Sequence, residues 1–375
     1  MSGGVYRGMF TIRPWAGLLG AVLGSAVCAL AANPLDVSFR IRLLKSPPVY
    51  HIGEPVQVEL RFSSEAPEKY VITTTSMQRP FTRGFDWLRI EPATGVKDAR
   101  TGLGQGGAGS ILSTSGLLKS EPNVVELVLN QWVRFVKPGQ YRLRIESSRV
   151  LLAEEYPDVT GKGGLPLESN EVRFTMRPSD PAWAGAELAE IVHVLDSDAE
   201  DGANKTAGQR LRFLNTPKAA TELARRWEPG PWTALSRELY EGLMESTQFE
   251  QLLGVLEARL RDPRSVACSA ILNVLVRVAI RAEFPNGLPK YGPGDPASEK
   301  ARREASKQWS KRRGELTEEY TEMLAASLER RNGPSRASAI YAIWETTEQD
   351  TLRSGSAPTV TLLRLRAEVA ALADD

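Results

Sequence analysis

The side chains that carry most enzyme chemistry are scarce in this chain of 375 residues. It contains two histidines, His51 and His193, and two cysteines, Cys28 and Cys268. Two histidines are too few for a catalytic zinc site with three imidazole ligands. No Gly-x-Ser-x-Gly turn is present to expose a nucleophilic serine. We therefore predict a protein that is not an enzyme and that binds neither a cofactor nor a metal.

The remaining candidates for chemistry have simpler interpretations. His193 lies off the apolar stripe of a predicted helix, which indicates a surface or domain-interface position. Cys268 lies in an apolar helical run and is predicted to be a buried small hydrophobe. A pair of carboxylates could still hydrolyse a glycosidic bond, but spacing does not identify such a pair among 46 acidic residues. A carboxylate-dependent hydrolase therefore stays an alternative.

Three stretches match binding motifs only in part. Residues 102–107 have the glycine spacing of a dinucleotide site, but no strand precedes them and no helix-forming run follows. The acidic residues at 196–201 do not have the spacing of a helix-loop-helix calcium site, so we predict a solvated connection. The basic residues at 300–313 are predicted to form a solvated helical face that ends at Gly314, with glutamates opening the next helix.

Residues 1–31 have the pattern of a secretory signal peptide, because arginines precede an uncharged run that ends in small residues. We expect cleavage after Ala31 or Ala32 and a periplasmic or extracellular protein. Two alternatives remain open, namely an uncleaved membrane anchor and lipidation at Cys28. No later segment is apolar enough to span a membrane. The formal net charge of +1 argues against nucleic acid as a partner.

Residues 33–178 have a hydrophobic period of two. Val37, Phe39, Ile41 and Leu43 alternate with polar residues, as half-buried antiparallel strands require. A similar alternation at 56–62 places Glu59 on the solvated face. Glycine and proline turns separate further strand candidates at 70–74, 87–91, 124–129, 141–146 and 172–176. This pattern predicts an antiparallel β-sandwich.

Residues 179–375 have helical periodicity. Asp180-Pro181, Thr216-Pro217 and Asp262-Pro263 have the pattern of helix starts, with a capping side chain before a proline. The resulting α+β chain would have its β-sandwich first and an all-α array of helical hairpins second. The predicted helices span residues 183–195, 209–227, 232–245, 249–261, 266–283, 300–313, 316–331, 335–344 and 360–372.

Each half resembles a common scaffold. Residues 50–58 (YHIGEPVQV) and 137–143 (KPGQYRL) resemble immunoglobulin-like sandwiches of exported bacterial and macroglobulin-type proteins. That resemblance implies that Tyr141, two residues after Gly139, bonds back to the chain at a sheet corner. Residues 262–272 (DPRSVACSAIL) and, more weakly, 336–343 (RASAIYAI) resemble HEAT-type helical repeats. Both resemblances imply scaffolds that bind proteins, and neither implies an active site.

The architecture and the shortage of catalytic residues together predict an exported binding or scaffold protein of the cell envelope. Its predicted ligand is a protein partner, and the alternatives are a carbohydrate or cell-wall polymer and the hydrolase named above. The loop rich in proline and glycine after the fifth predicted helix carries Phe284, Leu288 and Tyr291. We predict that these three residues contribute to partner binding.

Overall fold

A computed structural model describes residues 33–74, 85–99, 115–155, 164–285, 287, 296–354 and 360–373. Within these residues all strands precede all helices, so the predicted fold class is confirmed. The strands are β1 (Val37–Leu43), β2 (Val49–His51), β3 (Gln57–Ser64), β4 (Tyr70–Thr73), β5 (Asp86–Glu91), β6 (Val96–Asp98), β7 (Ser115–Leu117), β8 (Asn123–Val128), β9 (Val133–Phe135), β10 (Gly139–Ser147), β11 (Val150–Leu152), β12 (Leu167–Glu168) and β13 (Val172–Arg177).

The strands form two larger sheets that share one buried core. One sheet has the order β1-β3-β8, and the other has the order β12-β10-β13-β2 with β5 also paired to β10. Smaller sheets join β11-β4-β7 and β6-β9. The pairs are antiparallel except for β13 and β2, which run parallel.

The predicted alternation fixes which face of β1 is buried. Val37, Phe39 and Ile41 point into the core, and the Phe39 ring stacks on the ring of Phe62 from β3 with centroids 4.4 Å apart. Glu59 differs from the prediction, because it is buried rather than solvated. Its carboxylate lies directly across the sheet from Arg42, which donates two hydrogen bonds at 2.5 and 2.8 Å. This pairing keeps the charge of Glu59 satisfied.

Tyr141 makes the bond that the sandwich resemblance implies. Its hydroxyl lies 2.7 Å from the main-chain oxygen of Lys137 and 3.2 Å from that of Gly95. A Cβ atom at Gly95 would lie 1.9 Å from this hydroxyl, so only glycine fits there. Burial raises the pKa of Tyr141, and the neutral hydroxyl therefore persists as a hydrogen-bond donor.

The helical half has nine α-helices within the described residues. Tertiary contacts join neighbouring helices along the series, and their apolar faces form a second core. None of the described helices combines the length and the apolar character needed to cross a bilayer. The helices are α1 (Pro181–Leu195), α2 (Asp201–Leu214), α3 (Pro217–Arg226), α4 (Ala234–Glu245), α5 (Phe249–Arg261), α6 (Ser269–Glu283), α7 (Pro296–Ala325), α8 (Gly333–Ser354) and α9 (Val360–Ala373).

Two predicted helix starts are confirmed and a third is wrong. Asp180 and Thr216 accept hydrogen bonds from the first turns of α1 and α3. The predicted helix at 209–227 is therefore two helices, separated at Asn215 in the left-handed conformation with φ of 46°. Asp262 ends α5 instead of starting a helix, and its carboxylate accepts the main-chain N–H of Arg264 in the turn that follows.

Two further helix predictions are corrected in the same half. Cys268 is the residue before α6 and is only half-buried, whereas we predicted it to be inside a helix and buried. Gly314 does not end a helix, since α7 continues through it. Ion pairs that span Gly314 join Lys311 and Arg312 to Glu315. Such pairs and the surrounding helix formers outweigh the roughly 1 kcal/mol cost of a helical glycine.

The two halves meet through side chains from both. The imidazole of His51 stacks on the indole of Trp183, with centroids 4.7 Å apart. The guanidinium of Arg134, on β9, donates to the main-chain oxygen of Glu245 at the end of α4. These contacts join β2 and β9 of the sandwich to the helices α1 and α4.

Candidate functional site

A surface pocket of about 240 Å³ lies between the loop that follows α3 and the helices α4 and α6. We name it the Trp232 pocket. Its wall consists of the aromatic residues Trp227, Trp232 and Tyr240, and its α6 side includes Val274 and Arg277. The pocket therefore combines apolar rings with one exposed guanidinium.

The loop sequence explains how Trp232 reaches the surface. Residues 227–233 read WEPGPWT, and their two prolines restrict the backbone between the tryptophans. The main-chain N–H of Thr233 bonds to the oxygen of Pro231 at 2.8 Å, which closes a three-residue turn around Trp232. The Thr233 hydroxyl then accepts from the N–H of Ser236 at 3.0 Å and caps α4. Trp232 thus precedes the helix in which we predicted it.

The aromatic rings of the pocket support one another. The indole of Trp232 is 69 % exposed and packs edge-on against the ring of Tyr240 at 5.2 Å. Trp227 is buried on the other side, with its ring centroid 6.3 Å from that of Tyr240. An indole that is held in place and mostly exposed leaves a large apolar surface for a ligand.

Helix α6 supplies the opposite wall from residues spaced three and four apart. Ala270, Asn273, Val274 and Arg277 therefore lie on one face of the helix. The guanidinium of Arg277 is exposed, and its Nη1 donates to the hydroxyl of Tyr240 at 2.9 Å. This hydrogen bond joins α6 to α4 across the pocket.

The charge of the pocket is set by two arginines and one glutamate. Arg259 lies 2.9 Å from the carboxylate of Glu228 and also donates to the main-chain oxygens of Ala224 and Trp227. Glu228 is therefore compensated by its own neighbour. Arg277 has no carboxylate partner within the part of the chain that the structure describes, so its charge at the pocket is uncompensated.

The lining residues include one carboxylate, that of Glu228. Hydrolysis of a glycosidic bond with two carboxylates needs them about 5 to 9.5 Å apart across a cleft. The carboxylate of Glu228 is held by Arg259.

Of the three predicted partner-binding residues, the structure describes only Phe284, which does not line this pocket. Phe284 follows the last residue of α6 and is half-buried against the helical core. Leu288 and Tyr291 lie outside the described residues, so their predicted role stays a prediction. The signal segment 1–31 and the glycine-rich stretch 102–107 also lie outside the described residues.

The other predicted features keep the simpler interpretations given above. His193 is exposed in the last turn of α1. The connection after α1 is mostly exposed, and Asp196 pairs with Arg226 at 2.6 Å. Within the described residues no group of three or more side chains has the arrangement of a metal site. The basic residues of α7 lie on a largely exposed face with ion pairs to glutamates, as predicted.

Sequence reasoning missed the Trp232 pocket. The local signal was present, because two tryptophans flank Pro-Gly-Pro at 227–232, a composition typical of an exposed loop. The opposite wall comes from α6, about 40 residues later in the chain, and nothing in the sequence indicates that the two segments meet.

A second concentration of charge is buried and structural. Arg212, on α2, donates to Glu238 at 2.8 Å and to both carboxylate oxygens of Glu245 at 2.6 and 2.7 Å, and it also bonds to Glu241. Burial opposes the charge of Arg212, but the attraction and hydrogen bonds of the glutamates raise its pKa above the ordinary value. The network ties α2 to α4.

No protein-family model matches this sequence, and no curated protein is significantly similar to it. The functional argument therefore rests on the geometry of the Trp232 pocket.

Proposed function

We propose that this chain is an exported, non-enzymatic binding or scaffold protein of the cell envelope that binds a protein partner at the Trp232 pocket. The observation that carries the proposal is the convergence of Trp232, Tyr240 and Arg277 in one pocket. Tryptophan, tyrosine and arginine are the residues most enriched among those that dominate protein–protein binding energy. Their concentration at one accessible position is typical of an interface anchor.

The size of the pocket supports a protein ligand. Sites for drug-sized molecules usually enclose about 300 to 1,000 Å³, and this pocket has about 240 Å³. Such a volume accommodates one or two side chains of a partner. The remaining contact area would come from the surface around the pocket, as in other interfaces. The immunoglobulin-like and HEAT-like resemblances of the two halves, residues 33–178 and 179–375, agree with a binding scaffold.

A carbohydrate or cell-wall polymer is the second candidate ligand. The exposed face of the Trp232 indole could stack on a sugar ring, and the Asn273 amide beside it could bond to a hydroxyl. The protein ligand is favoured because a polymer chain requires a longer groove with several such positions.

Export is part of the proposal, and residues 1–31 are its signal. We expect protein recovered from the producing cells to begin at Ala32 or at Asn33. Amino-terminal sequencing of that protein tests the cleavage. An intact amino terminus in the membrane fraction would favour the anchor, and a lipid on Cys28 would favour the lipoprotein.

Photo-crosslinking from the pocket tests the proposed binding. Gly230 lines the pocket, and a Cβ atom there would have no neighbour within 4 Å, so a benzophenone side chain fits at this position. Gly254, on the exposed side of α5, is equally open and gives a matched control. The probe is introduced at each position in living cells, and the adducts are identified by mass spectrometry.

The proposal predicts a protein adduct at position 230 that is absent at position 254 and is lost when Trp232→Ala is added. The captured protein, once purified, must bind the wild-type chain more tightly than the Trp232→Ala variant. Equal adducts at both positions would contradict the proposal. So would retention of the wild-type chain on purified cell-wall polymer that depends on Trp232, in the absence of any protein adduct.

A further inference from the structure

The donors of Arg277 suggest the chemistry of the partner. One of its three nitrogens, Nη1, bonds to the Tyr240 hydroxyl. Its Nε and Nη2 have no acceptor in the described part of the chain, and the residue is exposed. A guanidinium with two donors directed to solvent beside an apolar pocket is suited to a carboxylate, which it can bind through two parallel hydrogen bonds.

The neighbouring charges strengthen this selectivity. Glu228 is the carboxylate of the pocket lining, and it forms an ion pair with Arg259. Because Glu228 is paired there, it does not compete with a ligand carboxylate for Arg277. The hydrogen bond to Tyr240 fixes the Arg277 side chain, so less conformational entropy is lost when an anion binds. A basic ligand would instead meet an uncompensated positive charge in a confined site.

The apolar part of the pocket lies beside this cation. The rings of Trp232 and Tyr240 face α6, where Val274 is buried one turn before Arg277. An apolar or aromatic side chain that enters between them would place the next residue of its chain close to the guanidinium. The apolar rings and the guanidinium therefore favour a ligand in which an apolar side chain lies next to an anionic group.

We propose that the Trp232 pocket recognises an acidic segment of its partner, in which an aspartate or glutamate lies next to a large apolar side chain. The apolar side chain fills the space between Trp232 and Val274, and the carboxylate binds Arg277. This inference rests on the proposed function and specifies the ligand of the same site.

Selection of displayed linear peptides on the purified protein tests the inference, with counter-selection against the Trp232→Ala variant. The enriched peptides should have aspartate or glutamate beside phenylalanine, tryptophan or leucine. The best peptide, labelled with fluorescein, then gives affinities by anisotropy. Arg277→Gln should weaken its binding at least about tenfold, whereas Arg264→Gln, at an exposed arginine in the turn after α5, should leave it unchanged.

A charge exchange separates recognition from a general effect on the fold. Arg277→Glu should prefer the same peptide with lysine in place of the acidic residue, and its thermal unfolding midpoint should match that of the wild type, because Arg277 is exposed. Peptides that depend on Trp232 but have no acidic preference would overturn the inference and leave the proposed function intact. Failure to obtain any peptide that depends on Trp232, together with the absence of a protein adduct at position 230, would overturn both.

Discussion

The indole of Trp232 meets the ring of Tyr240 edge-on, with centroids 5.2 Å apart and planes inclined by 84°. The positive edge of one ring points to the negative face of the other, a geometry worth about 0.5 to 1.5 kcal/mol beyond simple burial. The turn closed by Pro231 and Thr233 also fixes the backbone of Trp232. The ring contact and the turn thus hold an exposed indole in one position.

Replacement of this indole should affect binding far more than folding. We expect Trp232→Ala to weaken partner binding by about 2 kcal/mol, which is about thirtyfold in Kd. Its free energy of unfolding should fall by no more than about 0.5 to 1.5 kcal/mol, the contribution of the ring pair with Tyr240, because the side chain is otherwise mostly exposed. Trp87, on β5 and 51 % exposed, gives the control, since Trp87→Ala should leave the affinity unchanged. Titration of both variants with the captured partner checks the difference, and equal losses would contradict it.

The hydroxyl of Tyr141 should stabilise the sandwich by the amount typical of a buried hydrogen bond. Tyr141→Phe removes the bonds to Lys137 and Gly95 and leaves both main-chain oxygens with one donor fewer, that of Gly95 in a buried position. We expect a loss of about 1 to 2 kcal/mol in the free energy of unfolding, measured with urea. Tyr341→Phe is the control at an exposed tyrosine of α8 and should be neutral. An unchanged Tyr141→Phe variant would show that the corner bond adds no stability.

The sequence predicted those parts of the fold that depend on local patterns. The alternation from Val37 to Ile41 fixed a strand and its buried face, and the capping patterns at Asp180 and Thr216 fixed two helix starts. Asp262-Pro263 has the same local pattern and the same bond to its carboxylate from the N–H two residues later, yet it forms a turn at the end of α5. The same short pattern can begin a helix or form a turn, and the packing around it determines which of the two is adopted.

The candidate site could not be predicted because its parts are distant in sequence. Trp232 had a local signal, but we assigned it to a helix, and Arg277 had none. Glu59 shows the same limit within the sandwich, since its burial depends on Arg42 from another strand. Periodicity indicates which residues face a core, but it does not indicate which distant side chain meets them.

The buried arginine of α2 should be essential for the stability of the helical half. Arg212→Ala would remove the cation that binds the buried carboxylates of Glu238 and Glu245 directly. We expect a loss of about 3 to 5 kcal/mol in the free energy of unfolding. Arg225→Ala, which breaks an exposed pair with Glu222, should cost less than about 1 kcal/mol. Urea titrations of both variants make the comparison. Similar losses would show that the buried network contributes no more to the stability of the protein than an exposed ion pair does.

Arg281 presents the opposite situation to Arg212. It is 7 % exposed, and its Nε and Nη1 have no acceptor among the described residues. Its guanidinium lies 5.4 Å from the ring centroid of Phe249, which compensates only part of the lost hydration. Burial and, to a smaller extent, repulsion from Arg134 lower the pKa of Arg281 to about 10, although the attraction of Glu245 opposes part of this shift. The folded state therefore carries this charge at a cost.

Removal of that charge should stabilise the protein. We expect Arg281→Met to raise the free energy of unfolding by about 1 to 3 kcal/mol, because methionine fills similar space without an unsatisfied guanidinium. Arg331→Met is the matched control. Arg331 is equally buried, but its nitrogens bond to Ser327, Ser335 and the main-chain oxygen of Leu260, so this substitution should destabilise.

The dependence of stability on pH tests independently whether the charge of Arg281 destabilises the folded state. The pKa of Arg281 is about 10 in the folded state and higher in the unfolded chain, so above about pH 10 the unfolded chain binds more protons than the folded one. The wild type therefore gains stability as the pH rises above about 10, because Arg281 loses its charge in the folded state. Below that pH the full cost of burying the charge is present. The advantage of Arg281→Met should be constant at neutral pH and smaller at about pH 11, as measured by urea unfolding at both. A variant that is less stable than the wild type at neutral pH would show that Arg281 finds a compensating partner in the folded protein.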